Sequence, residues 1–260
     1  MNSHVMSADF QPHRIETRPS GADALVEPAM TEELLPFTVR LVRDEDDLDK
    51  AVQIRHSAYA RHLPVFAESL KAAETADADN GVVVLLAESK LDGSPLGTMR
   101  IQTNQFKPLC LEQSVELPAW LKARPLAEAT RLGVTNEKTG RLVKTVLFKA
   151  FYQYCMQTGI EWMVIAGRSP IDRQYDRLLF KDVFPGVGYI PLLHAGNLPH
   201  RVMSLEVSAV EPSWAAAKHP LYDFFFHTYH PDLHVGGERQ TLTSSMESPI
   251  YAANAAVFPM

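Results

Sequence analysis

Apolar and polar residues alternate through FTVRLV (37–42), the two-residue period of a half-buried strand. The acidic run DEDD (44–47) comes next. Acids favour a helix's first turn, where unpaired N–H groups carry partial positive charge, so a helix is expected to about Arg61. GVVVLLAES (81–89) is unbroken enough to be a buried strand, LDGSPLG is a turn, and TMRIQT (98–103) alternates as the returning strand of a hairpin. A proline-rich connection leads to AEATRLGV (127–134), which reads as a further strand. Leu142, Val143, Val146, Leu147, Ala150, Phe151, Tyr154 and Cys155 keep a 3.6-residue period, and Gly159 stops that helix. EWMVIAG (161–167) is another buried strand, and PIDRQYDRLLFKDV (170–183) is a short helix opening on Pro170. GYIPLL (188–193) and MSLEVSA (203–209) close the sheet, and residues 212–230 form a helix pair interrupted by proline. Strands and helices alternate irregularly, with an early hairpin, which is the signature of an α/β domain with a mixed sheet.

The two ends lack a sustained period. Residues 1–36 read as a flexible leader, 37–234 as one folded domain and 235–260 as a C-terminal tail, in which Ile250, Tyr251, Val257 and Phe258 are candidates to dock. The chain has 260 residues, enough for a sizeable core, and a net charge of −6, which argues against a dedicated nucleic-acid binder. The longest apolar runs are too short to span a bilayer, so no integral membrane segment is expected. The N-terminus has no apolar secretory core, and the two cysteines, Cys110 and Cys155, form no disulfide framework; a reducing, cytoplasmic location follows as the expectation. Cys155, on the apolar stripe, reads as inert filler. The histidines show no ligand spacing, and no metal is expected.

Several charges fall where the pattern calls for apolar residues. Leu48, Ala51, Val52 and Tyr59 form one stripe of the first helix, and Arg55 lies within it. Such an arginine either snorkels to solvent or is paired inside. Thr98, Arg100 and Gln102 share one strand face, which is either solvent-facing or the floor of a site. Glu128 and Arg131 interrupt a strand of small and apolar residues. Three apart, they would face opposite sides unless a β-bulge between them brings both to one side. Glu74, Asp77 and Asp79 lie just before the strand at 81, as a solvated loop or, with these internal charges, as part of one polar cleft on the sheet.

IRHSAY (54–59), residues 78–103 and EATRLGV (128–134) resemble the LuxI-type acyl-homoserine-lactone synthases and the FeeM-type N-acyl amino acid synthases, which share a variant of the GNAT acyltransferase fold. The matching pattern is Arg-x3-aromatic (Arg55, Tyr59), an acid ahead of a strand (Asp79), an arginine in the strand Gly-x-x-Arg (Arg100) and Glu-x-x-Arg (Glu128, Arg131). The resemblance covers roughly residues 38–207 and weakens after 180. It implies a GNAT-like fold with a mixed, mostly antiparallel central sheet flanked by helices. The lactone synthases carry a second acid three positions before the first; that position here is Ala76, with Asp77 beside it. Their tryptophan after the first helix is missing, with Phe66 near its place. These departures lean the resemblance toward the N-acyl amino acid branch. The pyrophosphate signature of acetyl-CoA-binding relatives is also absent, and TNEKTGRLV (135–143) occupies its place.

The resemblance therefore implies an N-acyltransferase that moves a long-chain acyl group from an acyl carrier protein thioester to the amine of an amino acid, with no cofactor beyond that acyl-phosphopantetheine co-substrate. Glu128 is the candidate base, since a carboxylate in a partly dry cleft is shifted toward neutrality. Arg100 and Arg131 join it as catalytic candidates, and Arg55, Tyr59, Asp77 and Asp79 as substrate-binding ones. Backbone N–H groups at a bulge are candidates to hold the oxyanion, and one arginine to hold the acceptor's carboxylate. Thr139, Gly140, Arg141 and Lys144, with Lys138 beside them, are candidates for the phosphopantetheine phosphate and the acidic carrier protein, or are ordinary solvated helix charges. Tyr175 either lies near the leaving thiolate or packs on Leu178 and Leu179. Two alternatives stand beside this reading: a lactone synthase using S-adenosylmethionine, and a noncatalytic sensor that binds acyl carrier protein.

Overall fold

The computed structural model describes residues 30–236. Its elements run in chain order as β1 (Thr31–Glu32), β2 (Phe37–Leu41), α1 (Glu45–Ala60), α2 (Pro64–Ala67), β3 (Val82–Ser89), β4 (Pro95–Thr103), α3 (Ala119–Lys122), β5 (Leu126–Val134), α4 (Gly140–Thr158), β6 (Trp162–Gly167), α5 (Asp172–Arg177), β7 (Lys181–Asp182), β8 (Ile190–Leu192), β9 (Leu198–Glu206), α6 (Val207–Ala216), α7 (Tyr222–Phe226), β10 (Thr228–Tyr229) and β11 (Leu233–His234). The central sheet has the order β11-β2-β3-β4-β5-β6-β9-β7, with β8 on β9. The pairs β11–β2 and β5–β6 are parallel, and the others are antiparallel.

The two faces of the sheet differ in chemistry. One packs on α4, where Leu85, Met99, Ile101 and Ala127 meet Val143, Val146, Leu147 and Phe151 in the main core. The other face carries Thr98, Arg100, Gln102 and Glu128, all buried, beside a smaller apolar cluster of Ala51 on α1 with Val84 and Leu86 on β3. The α1 stripe therefore meets a sheet face that is apolar toward β3 and polar toward β5. Asp44 caps α1 by accepting the Asp47 N–H at 2.8 Å, and buried Asp47 pairs with Arg40 of β2, fixing the helix to the sheet edge. Gly133 lets α1 run close over β5: a Cβ there would lie 3.1 Å from Ala58 Cβ and 3.2 Å from Arg55 Cα.

Several boundaries differ from the sequence pattern. Strand β1, within the expected leader, pairs in parallel with β10, and Leu35 is buried with its N–H donating to Asp232 at 2.9 Å. Backbone pairing of this kind leaves no side-chain period to read. Val235, at the start of the expected tail, is also buried. Residues 1–29 and 237–260 lie outside the described part. The last long strand ends at Glu206 rather than 209, because Val207 opens α6 and packs with Val210 and Trp214 into the core. The helix expected over 170–183 is confined to Asp172–Arg177 and is broken by Leu179 in the left-handed region at φ 66°. Helix α4 ends as expected, on Gly159 at φ 69°.

Candidate active site

Three arginines from three elements converge on one short acidic turn. Arg55 of α1 is 0% exposed, and its Nη1 and Nη2 donate to Asp77 Oδ2 and Oδ1 at 2.8 and 2.9 Å. Arg100 of β4 donates from Nη1 to Glu74 Oε2 at 3.1 Å and Asp77 Oδ1 at 3.3 Å, and from Nε to Thr130 Oγ1 at 3.1 Å. Arg131 of β5 grips Glu74 through Nε and Nη2 at 2.6 and 2.7 Å. The two acids hold each other in register: Glu74 caps a 3₁₀ turn over Thr75–Ala78 that contains Asp77, and the Glu74 N–H donates to Asp77 Oδ2 at 2.9 Å. Burial works to raise both carboxyls, but the Arg131 hydrogen bond on Glu74 and the Arg55 hydrogen bonds on Asp77 outweigh it and hold both low. Three guanidinium groups against two carboxylates leave one net positive charge in a dry site.

The structure separates the acids before β3. Asp79 is outside the cluster: its side chain is 39% exposed and pairs with Lys107. The acids that hold the arginines are Glu74 and Asp77, three residues apart, so the paired-acid spacing assigned to Asp79 and Ala76 is present two residues earlier. The difference arises because residues 75–78 form a 3₁₀ turn, which points Asp77 inward and leaves Asp79 on the strand approach. Tyr59, one turn after Arg55, faces the same cluster; burial pushes its hydroxyl up, against the pull of Arg131 and Arg55. Phe66 stands 5.8 Å from the Tyr59 ring and lies over the Arg131 guanidinium at 5.5 Å, roofing the cluster.

Strand β5 carries a bulge at Arg131 and Leu132, with Glu128 to Thr130 in regular register. Thr98 pairs with Gly133 and Arg100 with Thr130, so Met99 alone opposes both Arg131 and Leu132. Arg131 takes the left-handed backbone at φ 55°, which costs a non-glycine residue about 1–2 kcal/mol and turns its side chain to the face of Arg100 and Glu128. The parallel ladder with β6 stops just before the bulge, its last pair being Ala129 and Ile165. Glu128 is fully buried at this junction. The Leu111 N–H donates to its Oε2 at 3.1 Å, while Oε1 has no hydrogen-bond partner and faces His194 Nε2 at 3.5 Å. Burial raises the Glu128 carboxyl to about 7, against the pull of the Leu111 N–H and Arg100. A buried carboxyl balanced near neutrality can accept a proton from a bound nucleophile.

Around the β5–β6 junction the other candidates are distributed unevenly. Gly140 opens α4 so close to the preceding loop that a Cβ would sit 2.2 Å from Thr135 O. Thr139 precedes it with helical backbone angles and no side-chain cap. Arg141 and Lys138 are exposed, but Lys144 is drawn to Gln174, and burial lowers its pKa. Tyr175 meets the rings of Phe148 and Phe180 in the main core, against which Leu178 and Leu179 also pack, and Gly167 makes room for its ring. A large open groove of about 980 Å³ lies elsewhere, between the start of β3, the end of α4 and β11, and touches the arginine cluster only at Asp77. Among the described residues no group of three or more His, Cys, Asp or Glu is placed to hold a metal, and no helix is long and apolar enough to cross a membrane.

No family model matches the chain, and no curated protein matches it in sequence. Solved structures do match in shape. FeeM, an N-acyl amino acid synthase from uncultured soil microbes, superposes with a TM-score of 0.53 at 20% identity, covering 72% of this chain and 96% of FeeM. BjaI, a CoA-dependent acyl-homoserine lactone synthase whose structure was solved with SAM and isopentyl-CoA, superposes with a TM-score of 0.50 at 13% identity, covering 79% and 96%. The fold is GNAT-like and shared with both of these proteins. At these identities the likeness establishes the GNAT-like architecture alone. Glu74 is legible in the sequence only as one acid of the loop before β3, with no spacing signal of its own. His194 sits in a 3₁₀ turn over Leu193–Ala195, 66 positions after Glu128, and no periodicity singles it out.

Proposed function

We propose that the chain is an acyltransferase that moves a long-chain acyl group from an acyl carrier protein thioester to the amine of an amino acid. The observation that carries this reading is Glu128, a fully buried carboxyl shifted to about 7, beside a strand bulge and an arginine cluster with one positive charge in excess. The amine loses a proton to Glu128, directly or through one water, and attacks the thioester carbonyl carbon. The tetrahedral oxyanion is stabilised by strand N–H groups near the bulge and by the surplus positive charge. The C–S bond then breaks, the thiolate takes up the proton that the new amide nitrogen releases, and Glu128 returns its own proton to solvent. The same surplus charge suits an acceptor bearing a carboxylate, which a plain amine lacks. The phosphopantetheine arm would enter where β5 parts from β6, with Arg141 and the start of α4 near its phosphate and exposed Lys138 facing an acidic carrier.

Two observations support a second reading. The Glu74–Asp77 spacing removes one departure from the lactone synthases that use S-adenosylmethionine, and Phe66 over Arg131 puts an aromatic ring near the place of their tryptophan, which is missing here. The test is product analysis by mass spectrometry, with acyl carrier protein thioesters offered to the twenty amino acids and, separately, to S-adenosylmethionine. N-acyl amino acid formed by the parent and lost in Glu128→Gln is the expected result. Lactone formation alone selects the second reading. No product with any acceptor, together with retained carrier binding, identifies a noncatalytic sensor.

A further inference from the structure

We propose that His194 is the positioning residue for Glu128, its Nε2 hydrogen-bonding Oε1 and the ring changing tautomer as the carboxyl gains or loses its proton. The inference rests on the reading of Glu128 as a base and goes beyond it, because it names what sets that base's readiness. The geometry is specific. Nε2 and Oε1 are 3.5 Å apart, the His194 side chain is 8% exposed and that of Glu128 0%, and Oε1 has no other partner. A small closure makes an ordinary hydrogen bond and satisfies an enclosed carboxylate oxygen.

The turn that carries His194 is anchored at several points. Its carbonyl accepts from Arg131 Nη2 at 3.0 Å, and the adjacent Leu193 N–H donates to Ser114 Oγ at 2.8 Å. Gly196, at φ 70°, lies so close to Phe66 that a Cβ would fall 2.9 Å from its ring. The imidazole is therefore delivered onto Glu128 by the same arginine and the same aromatic roof that build the acidic cluster.

The ring is neutral near pH 7, since burial, Arg131, His200 and Arg100 push it down to about 4. A neutral imidazole has one N–H and one lone pair, so it can serve either form of the carboxyl. With Glu128 ionised, Nε2–H donates to Oε1. When Glu128 takes up one proton, Oε1–H donates to Nε2 and the ring proton resides on Nδ1. The pair gains one proton and the ring stays uncharged. The charged and titratable groups facing the pair are Arg100 of β4, Arg131 of β5, Glu74 of the acidic turn, Cys110 of the 3₁₀ turn before α3, and His200 of β9. Burial works to lower the Arg131 pKa, but its hydrogen bond to Glu74 outweighs that and holds it raised, so Arg131 keeps its charge while Glu128 titrates and the tautomer change reports Glu128.

The deciding measurement is ¹⁵N NMR of the full chain with labelled histidine, from pH 5.5 to 8.5, the His194 signals being assigned with His194→Gln. Expected is an exchange of character between the two ring nitrogens with a midpoint near 7, lost in Glu128→Gln. Flat signals, or titration to imidazolium that Glu128→Gln leaves unchanged, overturn the proposal. In turnover, His194→Phe removes the donor but fills the space. Its acid limb should move up by about one unit and kcat fall about tenfold, with KM within about twofold, because a hydrogen bond to the ionised form is lost. His194→Gln, which restores an N–H, should return the limb; equal profiles for Phe and wild type refute the role. If His194→Phe does not fold, the wild-type spectrum decides alone. The spectrum needs no substrate. A tautomer exchange without acylated amino acid sinks the functional reading and leaves the pair intact; product without exchange does the reverse.

Discussion

Replacing Asp77 with alanine takes away two short hydrogen bonds from a guanidinium with no access to water. Arg55 would keep only Glu74 Oε2, at 3.3 Å from Nη1, and its Nε already lacks a partner. Removing one member of a buried ion pair costs about 3–5 kcal/mol, because the remaining charge is left uncompensated in a low dielectric. Glu74 can shift toward Arg55, so the lower end, about 3 kcal/mol, is the expected loss. Asp79→Ala is the matched control, since its pair with Lys107 is exposed on both sides and such pairs are worth about 0–1 kcal/mol. The assay is urea unfolding followed by far-UV circular dichroism and tryptophan fluorescence. At a slope of about 1–3 kcal/mol per molar urea, the Asp77→Ala midpoint should fall by about 1–3 M and the Asp79→Ala midpoint by a few tenths. Equal midpoints for the two variants would show that Asp77 is not the partner that holds Arg55 and would return the acid's role to Asp79.

The Glu128 carboxyl gives a stability test with a definite sign. Its folded value of about 7 lies above the ordinary 4.5, so its favourable burial as a neutral acid is complete below pH 4.5 and is lost as pH rises through 7. Glu128→Gln should therefore match wild type near pH 4 and exceed it by about 3 kcal/mol at pH 8, at 1.36 kcal/mol per unit, read by denaturant midpoints at each pH; a pH-independent difference refutes the burial argument. Gly140→Ala places a Cβ 2.2 Å from Thr135 O, a backbone atom that cannot swing aside, so the start of α4 must move. The expected outcome is a loss of about 1–3 kcal/mol and weaker acyl-carrier binding by calorimetry. Lys149, buried in α4, donates to Phe224 O at 2.7 Å and Thr228 O at 2.6 Å and meets His230 Nδ1 at 2.9 Å. Lys149→Met should cost about 1–3 kcal/mol and speed amide exchange in β10 and β1, because two carbonyls lose their partner.

Much of the fold was legible because it rests on short-range periods. The stripe from Val143 to Cys155 and the stop at Gly159 define α4 without reference to anything distant, and α1 is read equally well from Asp44 and its acidic turn. Arg55, Arg100, Glu128 and Arg131 stood out as charges inside apolar patterns, and their convergence is what the structure found. Of the candidate acids Asp77 and Asp79, only Asp77 meets Arg55, a choice the sequence leaves open because a 3₁₀ turn has neither the helix nor the strand period by which a side chain's direction is read. Strand β1 shows no side-chain period for a related reason: it is held by backbone pairing with β10.

The sequence by itself determined the long elements, strands β2 to β6 and helices α1 and α4, and singled out Arg55, Arg100, Glu128 and Arg131 as charges inside apolar patterns, since both follow from spacing along one stretch of chain. Only the tertiary structure decided who pairs with whom. Glu74 meets three arginines drawn from α1, β4 and β5, and His194 reaches Glu128 from 66 residues away, because sheet register, the left-handed turn at Arg131 and the anchored loop over Phe66 bring them together. Those distances are set by chain closure in three dimensions, and no local pattern encodes them.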